Sequence, residues 1–216
     1  MRITRLGVLC TVVAVVAITL ATQELLFALT IAENGRAACR IVISGNATAP
    51  EKTAAYELRE HLRQVTGGDF QVVPEHSVSE NTPQIMVGRF VRLEATATGV
   101  DWDALGYDGI VIKTVGDTLI LSGGKPRGTL YAVYTFLEDV VGCRWWTAAE
   151  SFFPKKPDLR IGRLDIVYTP KIIYREAFYR DPLENPKFAA KLKLNGNFYS
   201  IPRSHGGHYE IIGWCH

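Results

Sequence analysis

An α/β fold in two parts is what the sequence predicts: a small α/β domain, then a single βαβ unit. Three observations carry that reading. Two helical patterns, near 48–67 and 125–142, alternate with short β-branched runs. A hairpin pattern lies between them at 107–124. A further strand–helix–strand pattern closes the chain beyond residue 164.

The first thirty-odd residues stand apart. "MRITRLG" supplies two arginines, and "VLCTVVAVVAITLA" follows as an uncharged apolar run. Basic then apolar is the order of a secretory signal peptide, expected here over 1–32 with a cut after "LTIA" near Ala32. Gln23 and Glu24 interrupt the run, so a continuous span of about 20 apolar residues fits poorly. A retained membrane anchor is the alternative, and the one route to membrane contact. Export would expose Cys39, Cys143 and Cys215 to an oxidising compartment. Three cysteines are odd in number, and their pairing stays open.

The first domain is expected over 38–168. "ACRIVIS" reads as a strand. The helix after it has Pro50 in its first turn, where a missing N–H costs nothing. Ala54, Leu58, Leu62 and Val65 make its apolar stripe, and Gly67 and Gly68 end it. "DFQVVPE" and "PQIMVGR" read as two more strands. In "YDGIVIKTVGDTLILSGG", Ile110 and Ile112 alternate with Val111 and Lys113 around a Gly116–Asp117 turn. A second helix follows with Pro126 in its first turn. Its apolar positions are Leu130, Val133, Tyr134, Leu137, Val140 and Val141, and Gly142 stops it. Helices covering one face of a sheet result.

The second part is expected over 169–216. "LDIVYTPKIIYREAFY" reads as strand-rich, "ENPKFAAKLKLNG" as a helix from Asn185–Pro186 to Asn195–Gly196, and "NFYSIP" as a strand. One βαβ unit cannot bury both faces of its sheet, so this part reads as incomplete.

Composition excludes some functions. The chain has 216 residues, 47% hydrophobic and 21% charged, which is globular. A net charge of +2 with no run of like charges gives no attraction to nucleic acid. "SGGKPRGT" is not a phosphate loop, because Pro126 follows Lys125 where a hydroxyl is needed. "GCRWW" offers Arg144 beside two indoles, a sugar platform or a packed layer edge; burial is the simpler expectation. Glycoside hydrolysis needs two placed carboxylates. Asp101 with Asp103, Glu138 with Asp139, and Asp181 with Glu184 all read as surface groups, so no catalytic residue is assigned. Arg175 and Glu176 interrupt an apolar run; buried charges of this kind pair with each other or face a polar cavity. His205, His208, Cys215 and His216 crowd the end of the chain. Their spacing matches no zinc pattern, and glycines separate the first two. A polar loop at an α/β active-site edge is the better reading. No metal and no cofactor is expected.

The residues then resemble a family. "TPKIIYREAFYRD…FAAKLKLNGNFY" is similar to the opening of the (β/α)₈ barrel in hexosaminidase-like enzymes and α-glucuronidases, with Pro170, Arg175, Lys193, Leu194 and Asn195 at matching places. The run "GG.PRGTLYAVY.FLED..GCRWW" resembles the α/β domain that precedes the barrel, of the kind called β-hexosaminidase domain 2. The "GGH…GW.H" ending is similar to a barrel loop of secreted glycosidase-like proteins. The resemblance implies a secreted glycoside hydrolase acting on polysaccharide or uronic-acid-containing glycans. It implies an accessory domain followed by the first βαβ unit of an incomplete TIM-type barrel, with the catalytic carboxylates on later strands. Arg175 would contact sugar hydroxyls or a carboxylate; His205, His208 and Trp214 would line the site. The partners implied are a glycan and the rest of the barrel. A non-catalytic carbohydrate-binding or scaffold module is the alternative.

Overall fold

The structure, a computed structural model, describes residues 29–79 and 82–213. The apolar run of the expected signal peptide and Trp214, Cys215 and His216 lie outside the described residues.

A six-stranded mixed sheet is the centre of the molecule. Its strands are β3 (Arg40–Ile43), β4 (Val72–Pro74), β5 (Gln84–Val87), β6 (Ile110–Val115), β7 (Thr118–Gly123) and β11 (Asp165–Tyr168), in the order β11-β6-β7-β5-β3-β4. The pairs β3–β4, β3–β5 and β5–β7 are parallel, whereas β6–β7 and β6–β11 are antiparallel. The hairpin forms as expected: Val115 pairs with Thr118 across Gly116 and Asp117.

Helix α1 (Ala49–Thr66) carries its own start and stop. Thr48 caps it, and Glu51 returns the bond to the Thr48 backbone in a complete capping box. Gly67 ends it in the left-handed conformation, at φ 84°. The stripe Ala54, Leu58, Leu62 and Val65 is buried. Helix α3 (Gly128–Thr135) begins two residues beyond Pro126, which is not in its first turn as the sequence suggested. It continues as a π-helical turn, Phe136–Val141, before Gly142 closes it at φ 96°. The two helices cover Ile41, Ile85, Ile112, Leu119 and Leu121 on one face of the sheet.

The expectation of a single covered face is corrected. A short helix, α2 (Val91–Thr96), places Phe90 and Leu93 against Val42, Met86, Val111 and Ile120 on the opposite face. Every second residue of the central strands needed a cover there, and Leu93 of the helix supplies it together with Phe90, Val78, Ala97 and Leu105 around it.

A second small sheet has the order β10-β1-β2, from β1 (Leu29–Glu33), β2 (Arg36–Ala37) and β10 (Leu159–Ile161). The expected cut after Ala32 would fall inside β1, whose Leu29, Ile31 and Ala32 are buried in the core. Strands β8 (Arg144–Trp145) and β9 (Ser151–Phe152) form a hairpin. Trp145 is buried against His61 and Tyr134, while Trp146 stays exposed and stacks on Phe152.

Beyond β11 the expected βαβ unit is only partly present. Helices α4 (Arg180–Glu184) and α5 (Pro186–Lys191) form, and α5 ends at Leu192 rather than at Asn195–Gly196. Lys193 takes the left-handed turn instead, at φ 60°. The segments 171–178 and 197–202 carry no strand pairing. They run side by side all the same: the Asn195 and Gly196 N–H groups donate to the Arg175 carbonyl at 3.0 and 3.1 Å. Tyr199 Oη accepts from the Ala177 N–H at 2.6 Å, so the contacts ascend along both segments in the sense of a parallel pair. Side-chain bonds take the place of a ladder.

Candidate functional site

Glycines build the centre of the site. Gly124, Gly123 and Gly128 press directly on the backbone of the 105–109 loop; a Cβ on Gly124 would fall on the Gly106 carbonyl. The N–H of Gly124 donates to the Gly109 carbonyl at 2.9 Å, and that of Gly128 to the Tyr107 carbonyl at 3.0 Å. The glycine-rich run therefore serves close backbone approach. Its product is the meeting of Asp108 with Arg127.

Asp108 is buried, 5% exposed, and three side chains share its carboxylate. Arg127 Nε donates to Oδ1 at 2.5 Å. Arg175 Nη2 and Asn195 Nδ2 donate to Oδ2 at 2.8 and 2.7 Å. Two of these partners come from beyond β11, so Asp108 pins that segment to the first domain. Sequence reasoning missed Asp108 and Arg127. The glycines on either side of Asp108, Gly106 and Gly109, were the available signal, but the partners lie 19, 67 and 87 residues away.

Arg175 is fully committed. Besides Asp108, it donates from Nε to the Lys193 carbonyl and from Nη1 to the Ile172 carbonyl, both at 2.8 Å. The pairing of Arg175 with Glu176, one of two options open in the sequence, does not form. Glu176 accepts instead from Tyr174 Oη at 2.7 Å and from the Phe198 N–H at 2.9 Å.

The terminal loop joins the same centre from the other side. Tyr209 lies over the Arg127 guanidinium, 4.5 Å from ring centroid to Cζ, and its N–H donates to the Asn195 carbonyl at 2.8 Å. Gly206 packs on the Arg127 stem, with no room for a side chain. His205 is buried against α1, and desolvation holds its pKa below the ordinary value. His208 is half-buried, and its Nδ1 has no partner among the described residues. The structure thus brings Arg175 and the 205–209 loop to one hub, while His205 turns to the helix. Trp214 lies outside the described residues.

A cleft of about 650 Å³ opens beside the hub. Ile110, Ile166 and Tyr168 floor it from β6 and β11; Tyr131, Thr135, Glu138 and Asp139 wall it from α3 and the π turn; Arg175 and Lys193 close it from the second segment. Lys193 Nζ pairs with Glu138 at 2.8 Å. Of the other carboxylates noted in the sequence, Asp101, Asp181 and Glu184 have partners within the fold. Asp101 accepts from the Asp103 and Ala104 N–H groups, Asp181 from the Ala148 N–H, and Glu184 pairs with Arg180. Among the described residues no group of three or more His, Cys, Asp or Glu side chains is placed to hold a metal ion. No helix of these residues is long and apolar enough to cross a membrane.

Comparison with known proteins locates the chain. A profile of the glycosyl hydrolase family 67 N-terminus matches residues 28–136, half of the chain. Over 102 residues, 45% of the chain, it is 31% identical to alpha-glucuronidase A of Emericella nidulans. It spans 12% of that relative's length. Two solved structures overlap it with a TM-score of 0.47 each. One is a family GH115 4-O-methyl-alpha-glucuronidase with specificity for decorated arabinogalactans, at 19% identity over 66% of this chain and 19% of that one. The other is CpGH84D, at 11% identity over 77% of this chain and 27% of that one.

Proposed function

From the premise that this chain belongs to the glycosyl hydrolase family 67 N-terminal family, we propose that it forms the N-terminal part of a secreted glycoside hydrolase. The enzyme acts on polysaccharide or uronic-acid-containing glycans, and its catalytic carboxylates lie outside this chain. The family match over 28–136 carries the proposal. The similarity to an alpha-glucuronidase supports the substrate class. The basic-then-apolar start supports secretion.

The second segment is the start of a catalytic barrel in this reading. Ile172, Ile173, Phe178, Phe198 and Ile212 are 50–93% exposed, and large apolar side chains left open in this number suit a surface that packs on further chain. Further βα units would cover it. Asp108, with its bonds to Arg175 and Asn195, then sets the barrel on its accessory domain. Arg175 acts there as a positioning residue first, and Asp108 holds its guanidinium at the cleft.

The test compares the longer protein with this chain on uronic-acid-bearing polysaccharide. Release of uronic acid by the longer protein and none by this chain bears the proposal out. Hydrolysis by this chain alone would refute it, as would a longer protein inert on every glycan offered.

A further inference from the structure

We propose that the cleft of about 650 Å³ between the first domain and the second segment is a non-catalytic binding site for a neutral oligosaccharide. The choice of glycan as ligand class rests on the functional reading above. Its location and its preference for an uncharged sugar rest on the cleft itself.

The volume lies within the range of small-molecule sites. Tyr168, on edge strand β11, is 54% exposed and offers an aromatic face for the C–H side of a pyranose ring. Ile166, two residues earlier, shares that face and continues the apolar floor. The opposite wall is polar. It comes from the π turn Phe136–Val141, and such turns occur often at functional sites. That turn presents Glu138 and Asp139 to the cleft. Asp139 is exposed and has no ion pair among the described residues.

Charge decides between a neutral sugar and a uronate. The lining holds three carboxylates, Asp108, Glu138 and Asp139, against two cations, Arg175 and Lys193. Arg127 behind the lining shares Asp108 with Arg175, so Asp139 is the one of the three with no ion pair among the described residues. Both cations are already paired, Arg175 with Asp108 and Lys193 with Glu138, each at 2.8 Å. A uronate entering here would meet the unpaired Asp139 carboxylate, while Arg175 and Lys193 are held by Asp108 and Glu138. A neutral sugar donates its hydroxyls to that carboxylate in charge-assisted hydrogen bonds. The ligand is therefore an uncharged glycan segment, such as a stretch of polysaccharide backbone away from its acidic substituents.

The test is calorimetric titration of the full chain with cellohexaose and xylohexaose, and with an oligogalacturonate of equal length. A neutral hexasaccharide should bind in the millimolar range. Tyr168→Ala should weaken it about tenfold, Asp139→Asn severalfold, and Tyr168→Phe little. The oligogalacturonate should bind about tenfold more weakly than the better neutral ligand. Both altered side chains are exposed; should Tyr168→Ala lose its near-UV circular dichroism, Asp139→Asn decides. Absence of neutral binding, indifference to these substitutions, or preference for the oligogalacturonate overturns the proposal. Hydrolysis by the longer protein is a separate readout: its failure leaves this test standing, and failed binding here leaves that one.

Discussion

Replacing Asp108 by Ala should remove about 4 kcal/mol of stability. Its carboxylate and Arg127 are 6% and 4% exposed at their side chains, so truncation leaves a buried guanidinium with no counter-charge. Breaking such a pair costs about 3–5 kcal/mol. Arg175, 21% exposed, keeps its two carbonyl acceptors and adds at most about 1 kcal/mol. Urea unfolding followed by far-UV circular dichroism measures the loss. With a slope of about 2.5 kcal/mol per molar, the midpoint should fall by about 1.5 M. The double variant Asp108→Ala/Arg127→Met should regain most of it, because exchanging a buried ion pair for apolar groups is often neutral. A midpoint shift under about 0.4 M, or no recovery in the double variant, would refute the assignment of Asp108 as the hub.

Three further outcomes are expected. Gly124→Ala forces a Cβ onto the Gly106 backbone and should cost about 2–3 kcal/mol, a fall in Tm of about 5–10 °C. Gly45→Ala, with nothing within 4 Å, should leave Tm nearly unchanged; equal effects would sink the close-approach account. Stability should fall as the pH drops below about 6.5, since burial holds the pKa of both His61 and His205 below the unfolded value. The unfolded chain takes up those protons first, so the loss runs from about 6.5 down through the folded values, at most about 1.4 kcal/mol per pH unit for each histidine. His61 shows the cost in geometry: Nδ1 bonds the Glu57 carbonyl at 2.7 Å, and Nε2 accepts from Trp145 Nε1 at 3.3 Å, so an added proton would set donor against donor. A flat profile between pH 7 and 5 contradicts this. Burial pushes the Cys39 thiol up to about 12 and Cys143 to about 11, so neither should react with a thiol reagent at pH 8 before denaturation. Labelled sites mapped by mass spectrometry check it, and rapid native labelling of either would count against the packing.

The elements legible in the sequence are those whose signals are local. Thr48, Pro50, the four-residue stripe and Gly67 lie within one helix, and they set α1 from end to end. The alternation around Gly116–Asp117 set β6 and β7 in the same way. Family membership was legible for a related reason: the glycine-rich run and the aromatic helix after it form one contiguous string. Tertiary structure decided what depends on partners far along the chain. Strand β1 was hidden in an apolar start, because its partner β10 lies some 130 residues on. The segments 171–178 and 197–202 have strand-like composition but no ladder; composition sets what a segment tolerates, and neighbours decide its pairing. Arg175 was singled out by its own charge, whereas its ties to Asp108 and two backbone carbonyls came from the fold. A carboxylate has no preference among the cations of a sequence. The backbone contact between Gly124 and the 105–109 loop chose Arg127, and with it the hub beside the cleft.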